Sequence, residues 1–418
     1  MIAIDSEIAK PRAMMSEISG PSPIASQSMS DSTIVDLRYY LVHPTPPDTG
    51  QPDRYIAGKN LCFVRLETAD GLHGWGECYT QSDRDIQITA HLEAMRRYIV
   101  GWDAARIKPW TDAIHNDFGN RRGAMDLYSA ISGVEQAMWD LAGKRAGMPV
   151  YQLLGGAVRD RLRVYANGWA KMDDLEELQA RARAMVERGF TALKFDPVPG
   201  KWRSYVGMKE LRLAADRVRA VREAVGPDVD VLLEIHRRLS PSNAVRLSKM
   251  VEEYEPFWFE EPVWAENMTA LAAATAQINI PTVTGEELYT KFEFREAFEQ
   301  RAADIINPDV ANVGGIKELT EIAAMAEIYF VAVAPHNYNS TTMALASTLN
   351  AAATMPNFII TEYFVNFEPW GQQAATPPFQ VEDSHIALPA TPGLGIDLDE
   401  EVLRAHPAKD FPARTIGD

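Results

Sequence analysis

This 418-residue chain predicts an α/β protein: a barrel of alternating strands and helices behind a smaller α+β domain. The first observation behind that expectation is a register. Glu234, Glu260, Glu286, Asp309, His336 and Glu362 follow one another at gaps of 26, 26, 23, 27 and 26 residues. Each sits near the end of a short apolar run: VDVLLEIH, PFWFEEP, IPTVTGEE, ADIINPD, YFVAVAPH and NFIITEY. The repeat is too long for one strand or one helix and fits one of each with two loops. In a (β/α)8 barrel the C-terminal strand ends meet at one face, where the active site lies, so these six residues are expected to converge. The second observation is strand–helix alternation from about Leu162 to residue 362. The third is that strands precede helices in the region before it, which marks a separate α+β unit.

Taken in order, residues 33–43 (TIVDLRYYLVH) read as a strand, and 44–58, rich in Pro, Asp and Gly, as a loop. Residues 61–80 read as two strands joined at Asp70-Gly71, a strong hairpin signal. Cys62 and Cys78, the two cysteines of the chain, flank that turn and are expected to face each other as reduced, buried thiols, since one pair is no disulfide framework. Helical patterns follow around 85–99, 106–117 and 129–146, the last with Ile131, Val134, Ala137, Met138 and Leu141 on one face. Beyond Leu162, LRVYANGW is a strand, Asp173 is placed to cap a helix to Glu187, and Gly189 ends it. FTALKFDP is the next strand, a helix carries Leu211, Ala214, Ala215 and Val218, and DVLLEI follows.

Composition narrows the function. A net charge of −17, from 41 basic and 58 acidic residues, disfavours a general nucleic-acid role, which needs clustered Lys and Arg. No run approaches the ~20 apolar residues of a membrane span. The first 32 residues lack a basic region joined to an apolar one and read as a disordered tail or an upstream start rather than a signal peptide. A cytosolic location is expected.

The chemistry lies in the register. Glu234, Glu260 and Glu286 form a carboxylate set suited to a hard cation such as Mg²⁺, which prefers oxygen ligands. No zinc pattern is present. Lys194 ends the strand before Glu234. It reads either as a base, its pKa lowered beside a cation, or as the counter-charge of the carboxylates. Asp309 accepting from the His336 ring would fix its tautomer and raise its basicity, making His336 a candidate general base. His236 lies two residues after Glu234, on the same face if the strand continues. It reads as general acid, substrate hydrogen-bond donor or spectator, with the acid favoured.

These residues resemble the enolase superfamily, and its mandelate racemase subgroup in particular. The matching segments are SAISGVEQAMWDLAGKRAGMPVYQLLGG (129–156), LKFD, LEIH, FEEP, GEE, NPDVANVGGI, APHN, TEY and GLGIDLDEE, and together they span nearly everything after residue 33. The resemblance implies a modified (β/α)7β barrel with an N-terminal α+β capping domain. Its divisions would be a tail at 1–32, the cap at 33–155, the barrel at 156–370 and a segment at 371–418 returning to the cap. It further implies Mg²⁺ on Glu234, Glu260 and Glu286, a His336–Asp309 dyad, and Glu362 as hydrogen-bond donor to a substrate carboxylate. To donate, Glu362 must be protonated, so burial and neighbouring carboxylates are expected to raise its pKa.

Racemases of the subgroup often carry Lys-X-Lys on the second barrel strand, whereas this chain has Lys194-Phe195-Asp196. LEIH instead resembles the sugar-acid dehydratases, where a histidine two residues after the first metal ligand serves the leaving hydroxyl. The implied reaction is β-elimination of water from a small anionic sugar acid, giving a 2-keto-3-deoxy acid, in a homo-oligomer. A cycloisomerase or racemase on a sugar-acid derivative is the alternative. A non-catalytic barrel would leave the full ligand and dyad set without a role, and a Schiff-base aldolase on Lys194 would leave three carboxylates unexplained. Loops 44–58, 81–84 and 116–128 are expected to touch the distal end of the substrate, with Arg54, Tyr55, Arg84, Arg121 and Arg122 as candidates.

Overall fold

The computed structural model describes residues 31–44, 59–81, 84–119, 124–172, 174–200, 206–338 and 341–410. Residues 1–30 of the expected 1–32 tail, the loop 45–58 with Arg54 and Tyr55, Arg121, Arg122 and Asp173 lie outside the described residues.

The first domain begins with an antiparallel meander, β1 (Ile34–Val42), β2 (Leu61–Thr68) and β3 (His73–Cys78). The hairpin turns where Asp70-Gly71 predicts it, with Gly71 at φ +83°. Cys62 pairs directly opposite Cys78, and both are buried free thiols. Helices α1 (Asp85–Ile99), α2 (Ile107–Ile114, continued by a π-helical turn at His115–Gly119) and α3 (Met125–Ala146) complete the unit. Ile131, Val134, Ala137, Met138 and Leu141 of α3 pack with Leu66 of β2 in one apolar core.

The barrel strands are β4 (Arg161–Asn167), β5 (Ala192–Phe195), β6 (Asp230–Glu234), β7 (Trp258–Glu260), β8 (Thr282–Thr284), β9 (Ile305–Ile306), β10 (Ala332–Val333) and β11 (Thr361–Phe364). They are parallel, and β11 pairs with β4. A parallel bridge from Val333 to Phe358 and the bond Ile359 N–H to Val333 O (3.0 Å) close the ring. The crossovers are α4 (Leu175–Glu187), α5 (Met208–Val225), α6 (Pro241–Val251), α7 (Met268–Thr275), α8 (Thr290–Gln300), α9 (Ile316–Ile328) and α10 (Thr342–Ala352). The architecture is therefore (β/α)7β. Asp174 caps α4, accepting from Glu176 N at 2.6 Å and Glu177 N at 3.2 Å.

One residue from each strand or its flank fills the barrel: Tyr165, Ala192, Leu232, Trp258, Val283, Ile305, Ala334 and Ile360. Tyr165 meets Trp258 edge-on at 5.3 Å, an arrangement worth about 0.5–1.5 kcal/mol beyond area burial. Because alternate residues of a strand share a face, the positions two residues on form the next layer towards the C-terminal face. That layer holds Asn167, Lys194, Glu234, Glu260, Asn307, His336 and Glu362.

The C-terminal segment touches both units. Strand His385–Ala387 runs antiparallel to β4, while Glu400 accepts from Tyr40 Oη at 2.7 Å and pairs with Arg65 Nε at 3.1 Å.

The two domains also join through α3. Glu135 accepts from Ile316 N at 2.7 Å and Lys317 N at 2.9 Å at the start of α9. The preceding Gly315 has φ +96°, and a Cβ there would lie 2.1 Å from Glu135 Oε2. Gly315→Ala should therefore destabilise the protein by more than the about 1–3 kcal/mol of backbone strain alone. The check is a lowered urea midpoint at unchanged slope.

Candidate active site

The six register residues converge at the C-terminal face. Glu234 and Glu260 end β6 and β7, Glu286 lies two residues beyond β8, and Glu362 is in β11. Asp309 and His336 lie three residues beyond β9 and β10 and are joined by a parallel bridge. All six are buried.

Glu234, Glu260 and Glu286 each bring one oxygen within 4.8 Å of the others. Glu260 Oε1 accepts from Lys194 Nζ (2.9 Å) and Asn307 Nδ2 (2.8 Å), while its Oε2 is buried with no hydrogen-bond partner. Burial and neighbouring Glu234 push the Glu260 carboxyl well above its usual range, against the opposing pull of Lys194. An all-oxygen set with an unsatisfied, buried carboxylate oxygen fits a divalent metal ion.

Lys194 sits 2.9 Å from Glu260, 3.3 Å from Glu362 and 3.5 Å from Glu234. Burial disfavours its ammonium, but Glu260, Glu362, Tyr165 and Glu234 outweigh that and hold its pKa well above the usual lysine range. The arrangement is that of a counter-charge and does not lower the pKa towards a base.

His336 Nδ1 lies 2.8 Å from Asp309 Oδ2, so Nε2 faces the site, 3.1 Å from Glu286 and 3.4 Å from Glu362. Burial disfavours the imidazolium, but Glu362, Glu286 and Asp309 together raise its pKa well above the ordinary value. Glu362 departs from expectation. Burial raises its pKa, yet the Lys194 and His336 charges and the donors Asn337 N (3.0 Å) and Asn167 Nδ2 (2.6 Å) lower it overall. It is a carboxylate accepting hydrogen bonds, and the predicted upward shift is corrected on that account.

His236 reaches the site by a different route from the one the strand pattern predicts. β6 ends at Glu234, and His236 and Arg237 follow with φ of +50° and +62°, in the left-handed region. Such conformations cost of order 1–3 kcal/mol and persist where surroundings over-determine them. Here His236 N donates to Glu234 Oε1 at 2.7 Å, and His236 Nδ1 lies 2.7 Å from Asp196 Oδ2. Burial disfavours the His236 cation, but Glu234 and Asp196 raise its pKa overall. Asp196 also accepts from Arg238, and His236 and Arg238 outweigh burial to hold its carboxyl below the usual range.

Arg237, which the pattern does not single out, donates to Glu286 and lies 3.2 Å from Glu287. It sits beyond the strand end, where periodicity carries no signal. Asn167 and Asn307 do have one: each stands two residues after a barrel-filling side chain. Arg84, a candidate for the distal substrate end, pairs with Asp126 at 2.5 Å.

Residues 55–155 match the mandelate racemase/muconate lactonizing enzyme N-terminal domain, and residues 177–402 match the enolase C-terminal domain-like family. The chain belongs to the mandelate racemase/muconate lactonizing enzyme family of the enolase superfamily. A D-gluconate dehydratase of Thermoproteus tenax is 33% identical over 83% of this chain and 70% of that protein. A D-galactonate dehydratase of Ralstonia nicotianae is 34% identical over 84% and 92%. The crystal structure of a mandelate racemase/muconate lactonizing enzyme from Jannaschia sp. CCS1 superposes with a TM-score of 0.83 at 30% identity, covering 91% of this chain and 99% of that one. Among the described residues no helix is long and apolar enough to cross a membrane.

Burial and Glu234 shift the Glu260 carboxyl towards its protonated form, so cation binding is expected to release a proton. Divalent-cation affinity should therefore keep rising with pH above the ordinary carboxylate range, and calorimetry in buffers of different ionisation enthalpy should show proton release. Glu260→Gln should lose the affinity while keeping a cooperative melt. Undiminished binding by that variant would reject the site.

Proposed function

We propose that the protein is a Mg²⁺-dependent acid-sugar dehydratase, a hydro-lyase that converts a sugar acid to its 2-keto-3-deoxy product. The observation that carries this reading is the presence of two Asp–His pairs around one carboxylate cluster. Asp309–His336 supplies a base, and Asp196–His236 supplies an acid. Dehydratase relatives on aldonic acids support the same reaction class.

Glu234, Glu260 and Glu286 would hold Mg²⁺. Once bound, the ion supplies positive charge against the second negative charge that develops on the substrate carboxylate during α-proton removal. The other steps belong to side chains. His336 accepts the α-proton at Nε2, its ring fixed by Asp309 through Nδ1. It must first shed the proton that Glu362 and Glu286 favour. His236, oriented by Asp196 through Nδ1, presents Nε2 and delivers a proton to the departing β-hydroxyl. Water leaves, and the enol tautomerises to the keto acid. Lys194 balances the carboxylates, and Glu362, held by Asn167 and Asn337, fixes the far wall.

Racemisation is less well supported. It needs a second base across the α-carbon, and Asp196, at that strand position, is committed to His236 and Arg238. The buried free cysteines support a cytosolic location. Exposed Ile328, Tyr329 and Phe330 support homo-oligomerisation.

Variants should separate the two histidines. His336→Asn should abolish both turnover and α-proton exchange in D₂O, each by at least the ~10²–10⁴-fold of general acid–base catalysis. His236→Asn should block keto-acid formation, read with semicarbazide, while exchange survives. Asp196→Asn should resemble His236→Asn in weaker form. Exchange lost only in the His236 variant would mean that acid and base are reversed, and epimers without keto product would sink the dehydratase reading.

A further inference from the structure

The four N-terminal N–H groups of a helix have no intrahelical partner and need a cap. On the metal side of the site two barrel helices cap themselves, although α8, after Glu286, has no cap from its N-cap residue Tyr289. Ser240 accepts from Asn243 N at the start of α6, and Asn267 accepts from Ala270 N at the start of α7. On the base side the helices do not. Gly315 before α9 and Thr341 before α10 provide no side-chain cap of their own.

Both caps come instead from the other domain. Glu135 of α3 accepts from Ile316 N and Lys317 N, and Ser132 Oγ accepts from Gly314 N at 2.9 Å. Glu77 of β3, fully buried, accepts from Thr341 N (2.6 Å), Thr341 Oγ1 (2.8 Å) and Ala344 N (3.0 Å). Gln136 of α3 ties the Glu77 backbone to Ser347 on α10. The two loops that end at these caps are the ones that carry Asp309 and His336. The same edge of the cap adds Tyr79, whose N–H donates to Ala311 O at 3.1 Å and whose ring lies 6.1 Å from the His336 ring.

We propose that Glu77 and Glu135 are positioning residues through which docking of the capping domain sets the geometry of the Asp309–His336 pair. The capping domain thereby completes the base half of the active site, whereas Glu234 and Glu260 precede helices that the barrel caps itself. The inference rests on reading His336 as the base, but its geometric core does not depend on turnover. Glu77→Gln keeps volume and part of the hydrogen bonding, yet places an amide donor against one of three donors.

The test uses the full-length Mg²⁺-loaded protein with D-gluconate and D-galactonate as probes. Glu77→Gln should lower kcat and α-proton exchange by roughly 10-fold or more, since small misplacements of a catalytic group are costly. KM and Mg²⁺ affinity should be nearly unchanged. The primary isotope effect on α-deuterated substrate should rise as proton removal becomes slower. In ¹⁵N-histidine spectra the His336 signals, identified by their loss in His336→Asn, should move while those of His236 stay in place. Thr341→Val, which removes one donor and leaves the charge, should give the same pattern at smaller amplitude and serves where Glu77→Gln does not fold. Unmoved His336 signals overturn the proposal whether or not the probes are turned over. So does a parallel fall in Mg²⁺ affinity and kcat, which would indicate general loosening. If the wild type shows no exchange on either probe while the signals still move, the dehydratase reading is in doubt and the positioning role stands.

Discussion

The site depends on one electrostatic constraint, the burial of Lys194 within a layer of carboxylates. Its ammonium reaches Glu234, Glu260 and Glu362 from the floor of the barrel mouth. Without a cation at that position, these three buried acidic groups would face one another across a few ångströms, a cost that burial makes large. The layer beneath explains how the constraint is met. Tyr165, Leu232, Trp258 and their neighbours fill the barrel and fix each strand's inward face. Two residues further on, the same faces present charge in place of hydrocarbon. The apolar layer sets the positions, and the charged layer uses them.

Around that floor, two Asp–His pairs approach from different places. Asp309–His336 is built on adjacent strand ends and is wholly buried. Asp196–His236 stands at the wetter rim, formed where β6 has ended and the chain turns through two left-handed residues. The difference in setting suits the two tasks proposed for these pairs, one proton removed in a closed site and one delivered to a departing hydroxyl. Arg237, in the same turn, ties the rim back to Glu286 and so couples the turn to the carboxylate cluster.

Much of this was legible in the sequence because the barrel writes its active face as a period. One strand, one helix and two loops give a near-constant spacing, and residues at strand ends must meet. The convergence of three glutamates, the Asp309–His336 contact and the hairpin with its facing cysteines follow from such local or repeating patterns. Asn167 and Asn307 were within reach of the same logic, since each occupies the inward position above a barrel-filling residue. The His236 argument had the right neighbourhood for the wrong reason, because it assumed a strand that stops two residues earlier. The upward shift expected of Glu362 failed for want of its long-range partners: Lys194 and Asn167 lie far away in sequence, and their charge and donors outweigh burial.

The sequence by itself determined the alternation of elements, the apolar fill of the barrel and which polar residues end its strands, because these are set by period and by short-range propensity. Tertiary structure alone decided which charges neutralise which, how the His236 turn closes on Asp196, and that Glu77 and Glu135 cap helices of the other domain. Those contacts join residues up to 267 positions apart. No local pattern encodes such a pair, because each partner's spacing is satisfied by its own element, and only the docking of the two domains brings donor and acceptor within reach.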